Sequence, residues 1–269
     1  MNMFIIDKEV YIRLGFFFGV FAFMALMETI SPRRPLSQSK SVRWLNNLSI
    51  TFLDSALLRL VLPLTAVEVA LYCRDHGLGL FNMVAAPEWI AGALSIGVLD
   101  LTIYAQHALF HRAPIFWRLH RMHHTDLDID VTTGSRFHPI EILISMFIKM
   151  AAITLLGTPV WSVVVFEVLL NATSMFNHSN VLLNKRLDAI LRMFMVTPDM
   201  HRVHHSVIIK ETNSNYGFNL SWWDRLFGTY RAQPVAGHDG MTIGLANYRD
   251  KKWLTVPWML VVPFSNKYR

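Results

Sequence analysis

Residues 89–124 read WIAGALSIGVLDLTIYAQHALFHRAPIFWRLHRMHH. Up to residue 111 this is an apolar run of roughly one bilayer thickness, which takes about 20 residues of helix. Its polar residues are not scattered. Asp100, Tyr104, His107 and His111 recur at i, i+4, i+7 and i+11, one stripe on a helix. The stripe climbs from inside the bilayer to two imidazoles four positions apart. A short connection follows, then His120, His123 and His124 at i, i+3 and i+4. The pattern predicts a membrane helix that brings metal-binding side chains to one membrane face.

Other apolar runs surround this one: residues 10–30, 48–73, 140–156 and 159–177. The second carries Asp54, Arg59 and Glu68. Gly157-Thr158-Pro159 separates the last two and reads as a tight turn, because Pro ends a helical pattern and Gly tolerates the bend. Residues 10–30 are too long for a cleaved signal peptide, lack a small-residue cleavage site and precede Arg33-Arg34-Pro35, so we read a retained helix. The expected fold is an all-α integral membrane bundle of about four spans, the last a broken or hairpin pair. A cytoplasmic helical cap carries the histidines. Composition agrees: 53% of the 269 residues are hydrophobic and 16% charged, against about 25% charged in soluble domains. A single cysteine, Cys73, excludes a disulfide framework, a Cys-ligated zinc site and a protein-held iron–sulfur cluster within one chain.

No internal repeat or low-complexity tract is visible, and the serine-rich residues 37–41 read as a linker. We expect one membrane domain over 1–269. Residues 1–94 supply N-terminal membrane helices and loops, 95–232 a histidine-box catalytic region, and 233–269 a C-terminal interfacial segment. Within the last, residues 252–263 are apolar but hold two prolines, which suits an interfacial or docking segment better than a span.

Lys and Arg set the orientation. Residues 31–45 hold Arg33, Arg34, Lys40 and Arg43 with no acid, and residues 178–269 hold 12 bases against 6 acids. Residues 74–88 are net negative. The 31–45 loop, the C-terminal part and the histidine boxes are therefore expected on the cytoplasmic side. The net charge of +6 is then explained by topology and anionic headgroups. Nothing calls for nucleic acid as a partner.

Ten of the twelve histidines fall between positions 107 and 205. His201, His204 and His205 repeat the HxxHH spacing of His120, His123 and His124. Three imidazoles on one helix face repel when protonated, and a metal bound by neutral imidazoles relieves this. The number of ligands argues for two ions, while imidazole alone does not choose among zinc, copper, iron and nickel. Glu167, Asn171, Ser174 and His178 form a second stripe ending at a histidine. Polar residues in a membrane helix usually face an interior site. Asp100 and Glu167, with Tyr104 and Asn171, are expected to support the metals or line a cavity. Ser174 is expected to hydrogen-bond between helices. His138, before a helix start at Pro139 and Glu141, is a further candidate ligand. Asp126, Asp128 and Asp130 read as a solvated acidic loop, and His76 and His238 as surface residues.

All-imidazole cations keep most of their charge, which favours binding and reduction of dioxygen. The HExxH pattern of zinc hydrolases is absent. Boxes at the mouth of apolar helices suit a hydrophobic substrate. An oxidase or hydroxylase acting on lipids is the leading reading. The rivals are a histidine-ligated zinc protein, as lipid hydrolase or metal handler, and a metal-free histidine pH sensor.

HALFH (107–111), HRMHH (120–124) and HRVHH (201–205), with Asp100-x-x-x-Tyr104 before the first, resemble the fatty acid hydroxylase/sterol desaturase superfamily. So do RFHPIE (136–141), FNHSN (176–180), NSNYG (213–217) and WWDRLFGTY (222–230). The later part looks like the alkylglycerol-monooxygenase-like and bacterial sterol-desaturase-like branches. The resemblance implies a membrane non-haem di-iron enzyme that uses O2 and two electrons to hydroxylate or desaturate a lipid or sterol. Its ligands would be His107, His111, His120, His123, His124, His178, His201, His204 and His205, with Asp224 and Gly228 supporting the metal cap. Zinc would be able to substitute for iron on purification. Electrons would come from a separate cytochrome b5, ferredoxin or reductase. The setting would be a bacterial inner membrane or the ER membrane.

Overall fold

The computed structural model describes residues 2–266, with side chains from Lys8 onward. Every described regular element is helical, and only isolated β-bridges occur between loops. The membrane part comprises α1 (Asn2–Ile30), α2 (Lys40–Val61), α3 (Ala66–Asp75), the single turn α4 (Leu80–Met83), α5 (Glu88–Arg112), α7 (Pro139–Leu156) and α8 (Val160–Asn177). The cap comprises α6 (Pro114–His124), α9 (Lys185–Leu191), α10 (Pro198–His204), the short α11 (Ile209–Thr212), α12 (Trp222–Leu226) and α13 (Gly237–Gly240), and α14 (Val256–Val261).

Among the described residues, five stretches are long and apolar enough to cross a membrane, one for each apolar run in the sequence. The second run is not one helix. α2 ends at Val61, because Pro63 cannot supply the next helical N–H, and α3 restarts from Thr65. Thr65 and Glu68 form a reciprocal cap: Glu68 N donates to Thr65 Oγ1 at 3.2 Å, and Thr65 N to Glu68 Oε2 at 2.7 Å.

α5 packs on α7 and α8, α3 closes over both, and α1 lies along α8. Leu99, Ile103, Ile153, Val163 and Phe166 fill the space between them. The outer faces are apolar and uncovered, with Phe52 77% and Leu60 83% exposed, as lipid contact requires. An ion-pair cluster ties the helices in the interior. Glu167 pairs with Lys149 of α7 and, at 3.2 Å, with Arg13 of α1. Both cations neutralise a carboxylate that would be costly alone at that depth. Glu167 is thus a bundle tie rather than a cavity group, and Asn171 donates to the Glu167 backbone carbonyl of its own helix.

The turn between α7 and α8 is built as its sequence predicts. Gly157 is left-handed, with φ 64°. A Cβ there would stand 2.7 Å from Asn82 Nδ2 and 2.8 Å from Leu78 O. Gly157→Ala should therefore cost more than the usual penalty of about 1 kcal/mol. It should appear as a lowered thermal midpoint of the detergent-solubilised protein with metal content unchanged.

The loop after α6 departs from expectation. Asp126, Asp128 and Asp130 are buried rather than solvated. Arg43, itself buried, donates to both Asp126 oxygens at 2.8 Å and pairs with Asp130. Asp128 accepts from the Ser37 and Gln38 amides at 2.8 Å. His238 is also buried, beside Asp199, whereas His76 is exposed. Residues 252–263 fold back on the cap: Trp253, Met259 and Val262 pack against Ile50 and Met122.

Candidate metal centre

The α5–α6 bend at Ala113-Pro114 folds the second histidine box back over the first. Proline is tolerated there because the first helical N–H has no partner to lose. α8 delivers His178 at its C-terminal cap, and α10 delivers His201 and His204, with His205 capping it. Thr197 starts α10 by accepting from Met200 N.

All nine imidazoles are buried, and they gather in two groups. One holds His107, His111, His120, His124 and His204; the other holds His123, His178, His201 and His205. Within each group one nitrogen per ring lies within 4.8 Å of all the others. Each HxxHH box serves both groups, so the boxes interlock. The groups adjoin, with the His124 and His205 ring centroids 4.6 Å apart.

The outer nitrogens fix the tautomers. Nδ1 donates to a backbone carbonyl in His107 (Tyr216 O, 2.7 Å), His123 (Arg136 O, 3.0 Å), His178 (Ser174 O, 2.8 Å) and His204 (Ser214 O, 2.7 Å). His120 Nδ1 lies 2.6 Å from Glu141 Oε1. With Nδ1 carrying the proton, each Nε2 turns a bare lone pair inward. Burial pushes His123, His124, His201, His204 and His205 well below the usual imidazole range. It takes His120 to about 3 and His178 to about 4. These rings are therefore neutral.

Neutral rings with facing lone pairs repel unless a cation lies between them. His123 and His178 meet Nε2 to Nε2 at 3.1 Å, as do His107 and His120; His178 and His201 meet at 3.0 Å. Two nitrogens each about 2.1 Å from one ion stand roughly 3 Å apart. His204 Nε2 and both His205 nitrogens are buried without a hydrogen-bond partner. The donor set thus fits two metal ions.

Other sequence candidates fall elsewhere. His138 stands outside both groups and caps α7, its Nδ1 accepting from Ile140 N at 3.2 Å. Asp100 does not accept from an imidazole. Its oxygens are occupied by Leu220 N (3.1 Å), Asn219 N (3.4 Å) and Trp223 Nε1 (2.8 Å). Tyr104 pairs with Thr229 Oγ1 at 2.8 Å. Asp224 accepts from the Tyr216 and Gly217 amides at 2.7 and 2.9 Å, and so holds the loop whose carbonyls orient His107 and His204. Ser174 ties α8 to the cap through Gly134 O.

Sequence reasoning missed Glu141 as the partner of His120. The signal was its place in the first turn of α7, next to the His138-Pro139 start. Glu141→Ala should weaken metal retention about 10–100-fold, as loss of a carboxylate behind a ligating histidine does, measured by competition with a chelator. The metal-stripped protein should also respond to acid. Its histidines have lowered folded pKa values, so their neutral form stabilises it fully above the unfolded value of about 6.5. That contribution is lost as pH falls toward about 4, the value for His178. A thermal midpoint of stripped protein that stays flat from pH 7 to 4 would contradict this.

Aromatic side chains wall the centre. Phe137 stacks on His123 at 4.6 Å, and Phe218 lies 5.2 Å from His107 and belongs to the apolar core below.

Residues 92–229 match the model of the fatty acid hydroxylase family. Ornithine lipid hydroxylase OlsE of Rhizobium tropici is 27% identical over 92% of this chain and 74% of its own length. Alkylglycerol monooxygenase of Homo sapiens is 30% identical over 61% of this chain, which spans 35% of that enzyme's length. Very-long-chain aldehyde decarbonylase GL1-8 of Oryza sativa subsp. indica is 27% identical over 62% of both. No solved structure matches. Apolar spans, interlocked histidine boxes and a match over half the chain lead to one conclusion: this is a multi-pass membrane protein that belongs to the fatty acid hydroxylase family.

Proposed function

We propose that the chain is a di-iron lipid hydroxylase, using O2 and two electrons to hydroxylate or desaturate a C–H bond of a membrane lipid or sterol. The observation behind this reading is the buried pair of all-imidazole groups, five and four side chains, at one end of apolar helices. Two irons there would supply dioxygen reduction and hydrogen abstraction.

The chain's own residues supply the rest. His107, His111, His120, His124 and His204 would hold one iron, and His123, His178, His201 and His205 the other. The Nδ1 donors to Tyr216, Arg136, Ser174 and Ser214 keep the rings oriented before metal arrives. Phe137 and Phe218 exclude water on the core side and offer an apolar surface for an aliphatic chain. Ornithine lipid hydroxylase and alkylglycerol monooxygenase both carry lipid names, which supports a lipid bearing a polar head. Lys and Arg distribution supports a cytoplasmic site, in a bacterial inner membrane or the ER membrane. Electrons would arrive from a separate cytochrome b5, ferredoxin or reductase.

The test combines metal analysis with turnover. Purified protein should hold about two irons, one per histidine group, and consume O2 when reduced with lipid present. Lipid profiles of cells with and without the gene should differ by a product gaining one oxygen or losing two hydrogens. Zinc without O2 uptake would point to the hydrolase or metal-handling alternative, because imidazole suits zinc as well. Protein without metal would refute both.

A further inference from the structure

One lobe of the cap is hydrogen-bonded to α5 on the bundle side of the histidines. Asp100 sits two turns of α5 before His107, roughly 10 Å further into the bundle. It also lies roughly 18 Å from the start of α5 at Glu88, well inside a hydrocarbon layer of about 30 Å. The Asp100 carboxylate nevertheless holds the cap residues Asn219, Leu220 and Trp223. A second helix gives a shallower measure: Thr173, roughly 7.5 Å along α8 before His178, donates to Asn219 Oδ1. Phe227 stacks on Tyr104 of α5, centroids 5.3 Å apart.

Residues 187–194 are bound to this segment. Trp222 Nε1 donates to Met193 O at 2.7 Å, Ser221 Oγ to Arg192 O at 2.7 Å, and Ser221 N to Phe194 O at 3.3 Å. The outward face of the combined lobe is apolar: Leu187, Ile190, Phe194, Trp222, Leu226 and Phe227 are 46–69% exposed. Its acids are spoken for. Asp188 pairs with Arg192, and Asp224 is buried. Its exposed charges are Lys185, Arg186 and Arg225, all basic.

We infer that the lobe of α9, its following turn and α12 is inserted in the lipid leaflet on the histidine side, its basic rim among anionic headgroups. An apolar face with a Lys/Arg border is the combination that seats a surface element in an anionic interface. The insertion places an apolar wall of the cap beside α5, on the membrane side of the metal groups. It is independent of which reaction those groups catalyse.

The test uses metal-loaded full-length chain in phosphatidylcholine vesicles containing phosphatidylglycerol. In a Cys73→Ala background, nitroxides on Ile190→Cys and Leu226→Cys report collisions with O2 and with a water-soluble nickel chelate. Oxygen collisions should dominate at both sites, as at a lipid-facing label on Phe52→Cys. Dominant nickel collisions would overturn the inference. So would shielding from both reagents, which means a protein partner or second copy covers the lobe. Should the background variant fail to fold, the native chain and Trp222→Phe are compared in brominated-lipid vesicles. Loss of part of the tryptophan quenching in the variant supports insertion, and identical quenching overturns it.

Discussion

Replacing His123 or His204 by alanine should abolish metal-dependent turnover while the chain still inserts in the membrane. Each residue serves a different group, so each variant attacks one half of the centre. Removing only a partner behind a ligand costs about 10–100-fold in metal affinity or activity, and a ligand itself should cost more than about 100-fold. His123 also faces His178 Nε2 at 3.1 Å, so its loss leaves that lone pair aimed at an empty space. The folded core should survive, because the apolar packing among α3, α5, α7 and α8 does not include these rings. The measurements are metal per chain, O2 uptake and the amount of protein in washed membranes. Wild-type turnover in either variant would remove the residue from the centre. Loss of membrane-inserted protein would instead make the residue chiefly structural.

The membrane helices and the candidate histidine clusters were legible in sequence because both are local patterns. Apolar runs of bilayer length, an HxxxH and two HxxHH boxes need no knowledge of distant partners. Even the Gly157 turn was readable from three residues. What stayed hidden depends on pairing across the chain. Asp126-x-Asp128-x-Asp130 looks like a solvated loop until Arg43, 83 positions from Asp126, is brought to it. Asp100 looked like a support for the metals until segment 219–223, more than a hundred positions away, took its lone pairs. Charge counting was exposed to the same blindness. Arg43 and Arg202 entered the count of bases facing lipid headgroups, yet both are buried.

That buried arginine supports the second large effect. Arg43→Ala should destabilise the cap at neutral pH by about 3–5 kcal/mol, because it strands two buried carboxylates. The loss is a large share of a typical stability of about 5–15 kcal/mol. In the wild-type protein burial alone would raise the Asp126 carboxyl, but the Arg43 guanidinium more than offsets this and holds it at about 2. A carboxyl with a lowered folded pKa stabilises fully above its unfolded value of about 3.9, and this is lost as pH falls toward about 2. The wild-type network therefore tolerates mild acid. In Arg43→Ala burial acts on Asp126 unopposed by that cation, its folded pKa rises, and its carboxyl binds a proton on folding. The sign reverses: the variant should gain stability as pH drops from 8 to 5, where the wild type gains none from this site. Thermal unfolding in detergent at both pH values reads the two slopes. An unchanged midpoint at pH 8 would show that other donors, such as Thr133 Oγ1 at 3.0 Å from Asp126, suffice. A triple replacement of Arg43, Asp126 and Asp130 by apolar residues of similar volume should recover part of the loss, since it removes the stranded carboxylates while buried Arg136 keeps its hydrogen bonds to Asn47, Thr125 and the Trp253 carbonyl. The single variant would then be failing through its stranded charges rather than through lost packing.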